Sequence, residues 1–229
     1  MTSPLIIALD LDLNSAISLT KQLDPKDCQL KIGHQLFTSE GPKCIKRFQE
    51  MGFKIFLDLK YHDIPNTVFS AVSSAIDLGV WMINIHSSGG PEMIKAAVKA
   101  REESKQKDTL LLGVTILTSL EDSLLKKIGF KNNTEETVKK LALLSKENGL
   151  NGVVCSPKEA GLVKLECGSS FITVTPGIRQ SKANEDQRRV DSAKEALMKG
   201  SDYIVVGRSI TQSPNPVKST ADILEEINS

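Results

Sequence analysis

Five ionisable side chains fall within the first 63 residues in a pattern able to move a proton. They are Asp10, Lys31 and then Asp58, Lys60 and Asp63, the last three inside "FLDLKYHDIPNTV" (56–68). Burying such charges is costly unless they are paired or used. Gathered in one place, two cations among three anions would form an alternating network. A lysine flanked by carboxylates is held as its ammonium form, the state a proton donor needs. The plainer alternative is a structural salt-bridge network closing one end of the fold. A buried network with no task, however, gains little stability.

A second pattern lies near the other end of the chain. In "VVGRSIT" (205–211) an apolar run meets Gly207 and then starts a helical turn at Arg208. Glycine lets backbone N–H groups approach an anion, and arginine can grip phosphate oxygens in bidentate fashion. "TPGIR" (175–179) supplies a similar turn and Arg179. The alternative is a plain strand-to-helix turn with a solvated arginine, but two matching loops strengthen each other. His86 could serve as a ligand or base, or as a hydrogen-bonded structural residue; His34 and His62 read as packing or surface positions. Three histidines without acid partners at ligand spacing do not suggest zinc. Acids at strand ends could hold magnesium, but lysines among them oppose it, so no metal is expected.

These residues need elements to bring them together. Short apolar runs recur at 5–10, 29–33, 53–60, 81–86, 110–116, 152–156, 171–176 and 203–207, with helical candidates such as "SEGPKCIKRFQEMG" and "NTEETVKKLALLSKENG" between them. Strands alternating with helices imply parallel pairing through crossover helices. Eight such units predict an α/β fold, a closed (β/α)8 TIM barrel forming a single domain over 1–229. The runner-up is a doubly wound open sheet, but the first turn, "ALDLDLNS", lacks its glycines. Side chains alternate along a strand. That puts Phe53, Ile55, Leu57 and Leu59 outward against the helices, and Phe56, Asp58 and Lys60 into the barrel. Asp10, Lys31 and His86 point inward at the ends of strands one, two and four. Polar residues thus gather at the C-terminal strand ends, where barrel active sites form. Asp63, just before Ile64-Pro65, has left its strand and need not face its own barrel.

Composition narrows the field. The 229 residues are 40% hydrophobic and 25% charged, with a formal net charge of +1. That suits one sizeable core and gives no electrostatic footprint for nucleic acid or an anionic membrane. No apolar run approaches the ~18 residues of a membrane-spanning helix. "MTSPLIIALD" lacks a basic region before its apolar run and reads as a first strand, not a signal peptide. Cys28, Cys44, Cys155 and Cys167 show no metal-site spacing, so reduced thiols and a cytoplasmic location are expected.

With these residues placed, the chain resembles the orotidine 5'-phosphate decarboxylases nearly end to end. The carriers are "ALD" (8–10), "LKIGHQLFTSEGP" (30–42), "DLKYHDIPNT" (58–67), "VTILTS" (114–119), "TPGIR" (175–179), "EDQRRV" (185–190) and "VVGRSIT" (205–211). The D-x-K-x-x-D-I-P-N-T string is highly specific. The resemblance implies a cofactor-free homodimer that converts orotidine 5'-phosphate to uridine 5'-phosphate and carbon dioxide in de novo pyrimidine biosynthesis. It assigns Asp10 and Lys31 to the ribose hydroxyls, with Lys31 also in the charge network. Asp58 would face the substrate carboxylate and Lys60 would deliver the proton. Asp63, Ile64 and Thr67 would reach in from the partner subunit, and Thr118 would lie by the pyrimidine. Arg179, Gln187, Gly207 and Arg208 would hold the phosphate. The family's closing loop here reads "GIRQSKANEDQ", with Gln180 where proline is usual and Glu185 where glycine often stands.

Two rivals remain at this level. One is a magnesium-dependent keto-sugar phosphate decarboxylase or aldolase, which shares D-x-K-x-x-D but carries a metal-binding glutamate where Lys31 stands. The other is a non-catalytic nucleotide-binding barrel, which gives no reason to keep Lys60 among its acids.

Overall fold

The structure is a computed structural model that describes residues 3–178 and 192–229. Its strands are β1 (Leu5–Ala8), β2 (Gln29–Gly33), β3 (Ile55–Tyr61), β4 (Met82–His86), β5 (Leu110–Val114), β6 (Gly152–Val154), β7 (Ile172–Ile178) and β8 (Tyr203–Val206). They pair in chain order, all parallel, and β8 closes on β1. The expected closed (β/α)8 barrel is therefore the fold.

Alternation along the strands divides the apolar residues into two layers. Ile6, Phe56, Met82, Leu112, Val174 and Val205 fill the barrel interior. Their neighbours Ile7, Ile32, Ile55, Leu57, Ile83 and Ile85 face outward and join the helices in the main core. Packed side-chain layers of this kind make the interior a core rather than a pore. Most of the polar inward residues accordingly lie toward the C-terminal ends of the strands.

Element boundaries follow local chemistry. Helix Thr134–Glu147 starts where Asn133 caps it, its side chain accepting from the Glu136 N–H. The stretch 39–52, expected as one helix, is split between His34–Glu40 and Lys43–Glu50. Gly41 takes φ 64° at the break, and Pro42 has no N–H with which to continue the first helix. Phe53 lies outside β3 because its N–H bonds back to the Phe48 carbonyl, closing the preceding helix.

The largest irregularity is in β3. Leu57 pairs with Ile83 and Tyr61 with Ile85, so β3 places Asp58, Leu59 and Lys60 opposite Asn84 alone. Lys60 absorbs the excess at φ 49°, and it is the one residue other than glycine with positive φ among the described residues. Such a backbone costs of order 1–3 kcal/mol and persists only where its surroundings impose it. Bulges of this kind often re-aim a side chain beside a site.

Candidate active site

A cavity of about 590 Å³ opens at the C-terminal mouth of the barrel. Ala8, Phe56 and Val205, from the interior layer, form its apolar floor. Asp10, Lys31, Asp58 and Lys60 line one side, and Thr118 contributes from the segment after β5. Gly207 and Arg208 form the turn after β8, whereas Gly177, expected in a turn after strand seven, lies within β7 at a register irregularity between Pro176 and Ile178.

The polar wall is a continuous chain of charge. Lys31 Nζ lies 3.3 Å from Asp10 Oδ1 and 3.2 Å from Asp58 Oδ2. Lys60 Nζ donates to Asp58 Oδ1 at 2.6 Å. Within one chain, then, the lysine between two aspartates is Lys31; Lys60 has one such carboxylate, with its remaining donors toward the cavity. Asp58 is 8% exposed. Burial alone would push its carboxyl upward, but Lys31, Lys60 and hydrogen bonds from Lys60 and Asn84 outweigh this and hold it below the ordinary carboxylate value. The site thus keeps an anion at the centre of two cations.

Asn84 belongs to none of the sequence motifs that mark the other site residues. Its Nδ2 donates to Asp58 Oδ1 at 2.7 Å, and its Oδ1 accepts from the Lys60 backbone N–H at 2.8 Å. Strand alternation did place it inward, between Ile83 and Ile85 in "WMINIH". An inward amide in an apolar strand needs a partner, and that was the available signal.

His86 ends β4 and its ring lies 5.2 Å from that of His62. Burial, followed by His62 and Lys60, pushes its pKa down, so its neutral form is favoured. His34 and His62 are both exposed. No group of three or more His, Cys, Asp or Glu side chains is arranged to hold a metal ion among the described residues. All four cysteines are buried and free. No helix among the described residues is long and apolar enough to cross a membrane.

Three of the proposed ligands do not line this cavity. Asp63, Ile64 and Thr67 are exposed at the start of helix Pro65–Asp77, with Ile64 at 66%. The Asp63 carboxylate accepts from the Ile64 N–H next to it. Arg179 and Gln187, with the neighbouring Gln180 and Glu185, lie outside the described residues.

The sequence matches the profile of the "Orotidine 5'-phosphate decarboxylase / HUMPS family" over residues 3–223. It is 47% identical over 230 residues to orotidine 5'-phosphate decarboxylase of Teredinibacter turnerae, covering 99% of each chain. It is 50% identical over 224 residues to that of Dichelobacter nodosus, covering 97% of each. Among solved structures, orotidine 5'-phosphate decarboxylase from Lactobacillus acidophilus superposes with a TM-score of 0.88 at 36% identity, over 99% of this chain and 100% of that one. A closed barrel, a Lys–Asp–Lys chain at its mouth and full-length similarity lead to one conclusion: the chain belongs to the orotidine 5'-phosphate decarboxylase / HUMPS family.

Proposed function

We propose that this protein is a carboxy-lyase that converts orotidine 5'-phosphate to uridine 5'-phosphate and carbon dioxide, the closing step of de novo pyrimidine nucleotide synthesis. It works without a cofactor, in the cytoplasm, as a homodimer whose chains each form one catalytic domain over 1–229. The observation that carries this reading is the Lys60 ammonium, fixed 2.6 Å from Asp58 beside the cavity.

Loss of carbon dioxide leaves an electron pair on a pyrimidine ring carbon. A cation held in place before the reaction stabilises that charge without reorganising, and Lys60 then delivers the proton to the same carbon. Asp58, anionic beside the leaving carboxylate, holds Lys60 and disfavours the carboxylate ground state. Asp10 and Lys31 bind the ribose hydroxyls and Thr118 lies against the base. Gly207 and Arg208, with Arg179 and Gln187, hold the phosphate. Its binding energy is remote from the reacting carbon and can be spent on positioning. Asp63, Ile64 and Thr67, exposed on their own chain, complete the site of the second subunit.

The rival reading is the magnesium-dependent sugar-phosphate chemistry that shares the D-x-K-x-x-D pattern. Here the Lys31 ammonium sits between Asp10 and Asp58, occupying with positive charge the space a divalent cation would need. Following loss of the orotate chromophore in the presence of a chelator separates the two. Full turnover with the chelator is expected; turnover that vanishes and returns with magnesium would favour the sugar-phosphate reading.

A further inference from the structure

The β3 bulge leaves a problem that only the neighbouring strand can solve. With three residues of β3 facing one of β4, the regular ladder between Leu57–Ile83 and Tyr61–Ile85 is broken. A buried backbone N–H without an acceptor costs about 1–3 kcal/mol. The Asn84 side chain stands in for the missing ladder carbonyl, accepting from the Lys60 N–H at 2.8 Å. The same amide donates to Asp58 Oδ1 at 2.7 Å, the oxygen that also receives Lys60 Nζ at 2.6 Å. Asn84 is fully buried. Its orientation is fixed, since reversing the amide would set oxygen against carboxylate and NH2 against N–H.

We infer that Asn84 is a positioning residue for the decarboxylation. It ties the Lys60 main chain, held at φ 49°, to the Asp58 carboxylate, and so sets where the Lys60 ammonium points. It does not reach the substrate cavity; it acts through Asp58 and Lys60. Leu or Val could do neither task, because the position needs an acceptor and a donor on one side chain. The inference rests on the proposed decarboxylase reading and deepens it.

The test uses full-length protein, with turnover expressed per site able to bind uridine 5'-phosphate. Asn84→Ala removes both hydrogen bonds, and misplacing Lys60 by about an ångström should lower kcat about a hundredfold. KM should change by less than about threefold, since the phosphate and ribose contacts remain. Asn84→Asp supplies a second, nearly isosteric variant. As a carboxylate it keeps the acceptor but repels Asp58; once protonated it restores an O–H donor. Close carboxylates share a proton readily, so its kcat relative to wild type should rise at least about tenfold between pH 8 and pH 5. The charged or titratable groups around it are Asp58 and Lys60 on β3, Lys31 on β2, Asp10 after β1, His86 on β4 and His62. Wild type and Asn84→Ala, measured in parallel, carry these groups too, so their ratio should stay flat. Asn84→Ala within about threefold of wild-type kcat would overturn the inference. So would an Asn84→Asp ratio that does not move with pH, which decides the matter even if Asn84→Ala fails to fold. A wild-type protein inactive on orotidine 5'-phosphate would instead overturn the functional reading itself.

Discussion

At the scale of single residues, the proposed function divides labour between charge placed near the reacting carbon and charge placed far from it. Lys60→Ala removes the ammonium beside Asp58, which in the proposed mechanism acts mainly in the transition state. It should lower kcat by at least about a thousandfold while leaving the affinity for uridine 5'-phosphate within a modest factor. Binding by calorimetry together with single-turnover assays would check this, and retention of more than about one per cent of turnover would remove Lys60 as proton donor. Arg208, exposed at the cavity rim, is proposed to act at a distance from the reacting carbon. Arg208→Ala should raise KM for the phosphorylated substrate by roughly thirtyfold, ~2 kcal/mol for a lost charge-assisted pair. The unphosphorylated nucleoside should be almost unaffected; equal losses on both would show that Arg208 does not grip the phosphate. Much of the charged wall was legible in the sequence, because alternation places Asp10, Lys31, Asp58 and Lys60 at strand ends. Asn84 was not, because an amide's role depends on which groups lie across the strand, and that requires the register.

At the scale of elements, the sequence carried the alternation of strand and helix and its closure into a barrel, while the ends of elements depended on details that periodicity does not encode. Phe53 looked like the start of a strand and instead closes a helix; Gly41 and Pro42 divide what read as one helix. The bulge in β3 was the least legible feature. Positive φ is usually announced by glycine, whereas here it falls on Lys60, and its hydrogen bond comes from another strand. Glycine does mark a different constraint, in β6. Gly152 pairs with Ile172 of β7, and a Cβ there would lie 2.1 Å from the Ile172 carbonyl oxygen. Backbone on that side cannot yield without disturbing the barrel. Gly152→Ala should therefore destabilise the protein by about 1–3 kcal/mol, seen as a lower urea midpoint at unchanged slope. Gly168→Ala is the control for a different effect, because there the cost is φ 88° with open space around the added methyl. A Gly152→Ala midpoint equal to wild type would mean that the β6–β7 pair can separate.

At the scale of the whole molecule, the residues of "DLKYHD" do not all belong to the same cavity. Asp58 and Lys60 line their own barrel mouth, while Asp63, five residues beyond Asp58, is exposed outside it with Ile64 and Thr67. In an isologous dimer the same surface faces itself across a two-fold axis, so each chain can complete the other's site. Lys60→Ala and Asp63→Ala homodimers should then both be severely impaired. Mixing the variants by co-expression or slow refolding would give one half mixed dimers if assembly is random. Each mixed dimer carries one site with both substitutions and one with neither. Roughly a quarter of wild-type activity should therefore return, from a mixture of two nearly inactive proteins. Differential affinity tags would isolate the mixed species, in which the expected recovery rises to about half. Purified mixed dimers that stay as inactive as their parents would place Asp63 in its own barrel and leave each chain with a self-contained site.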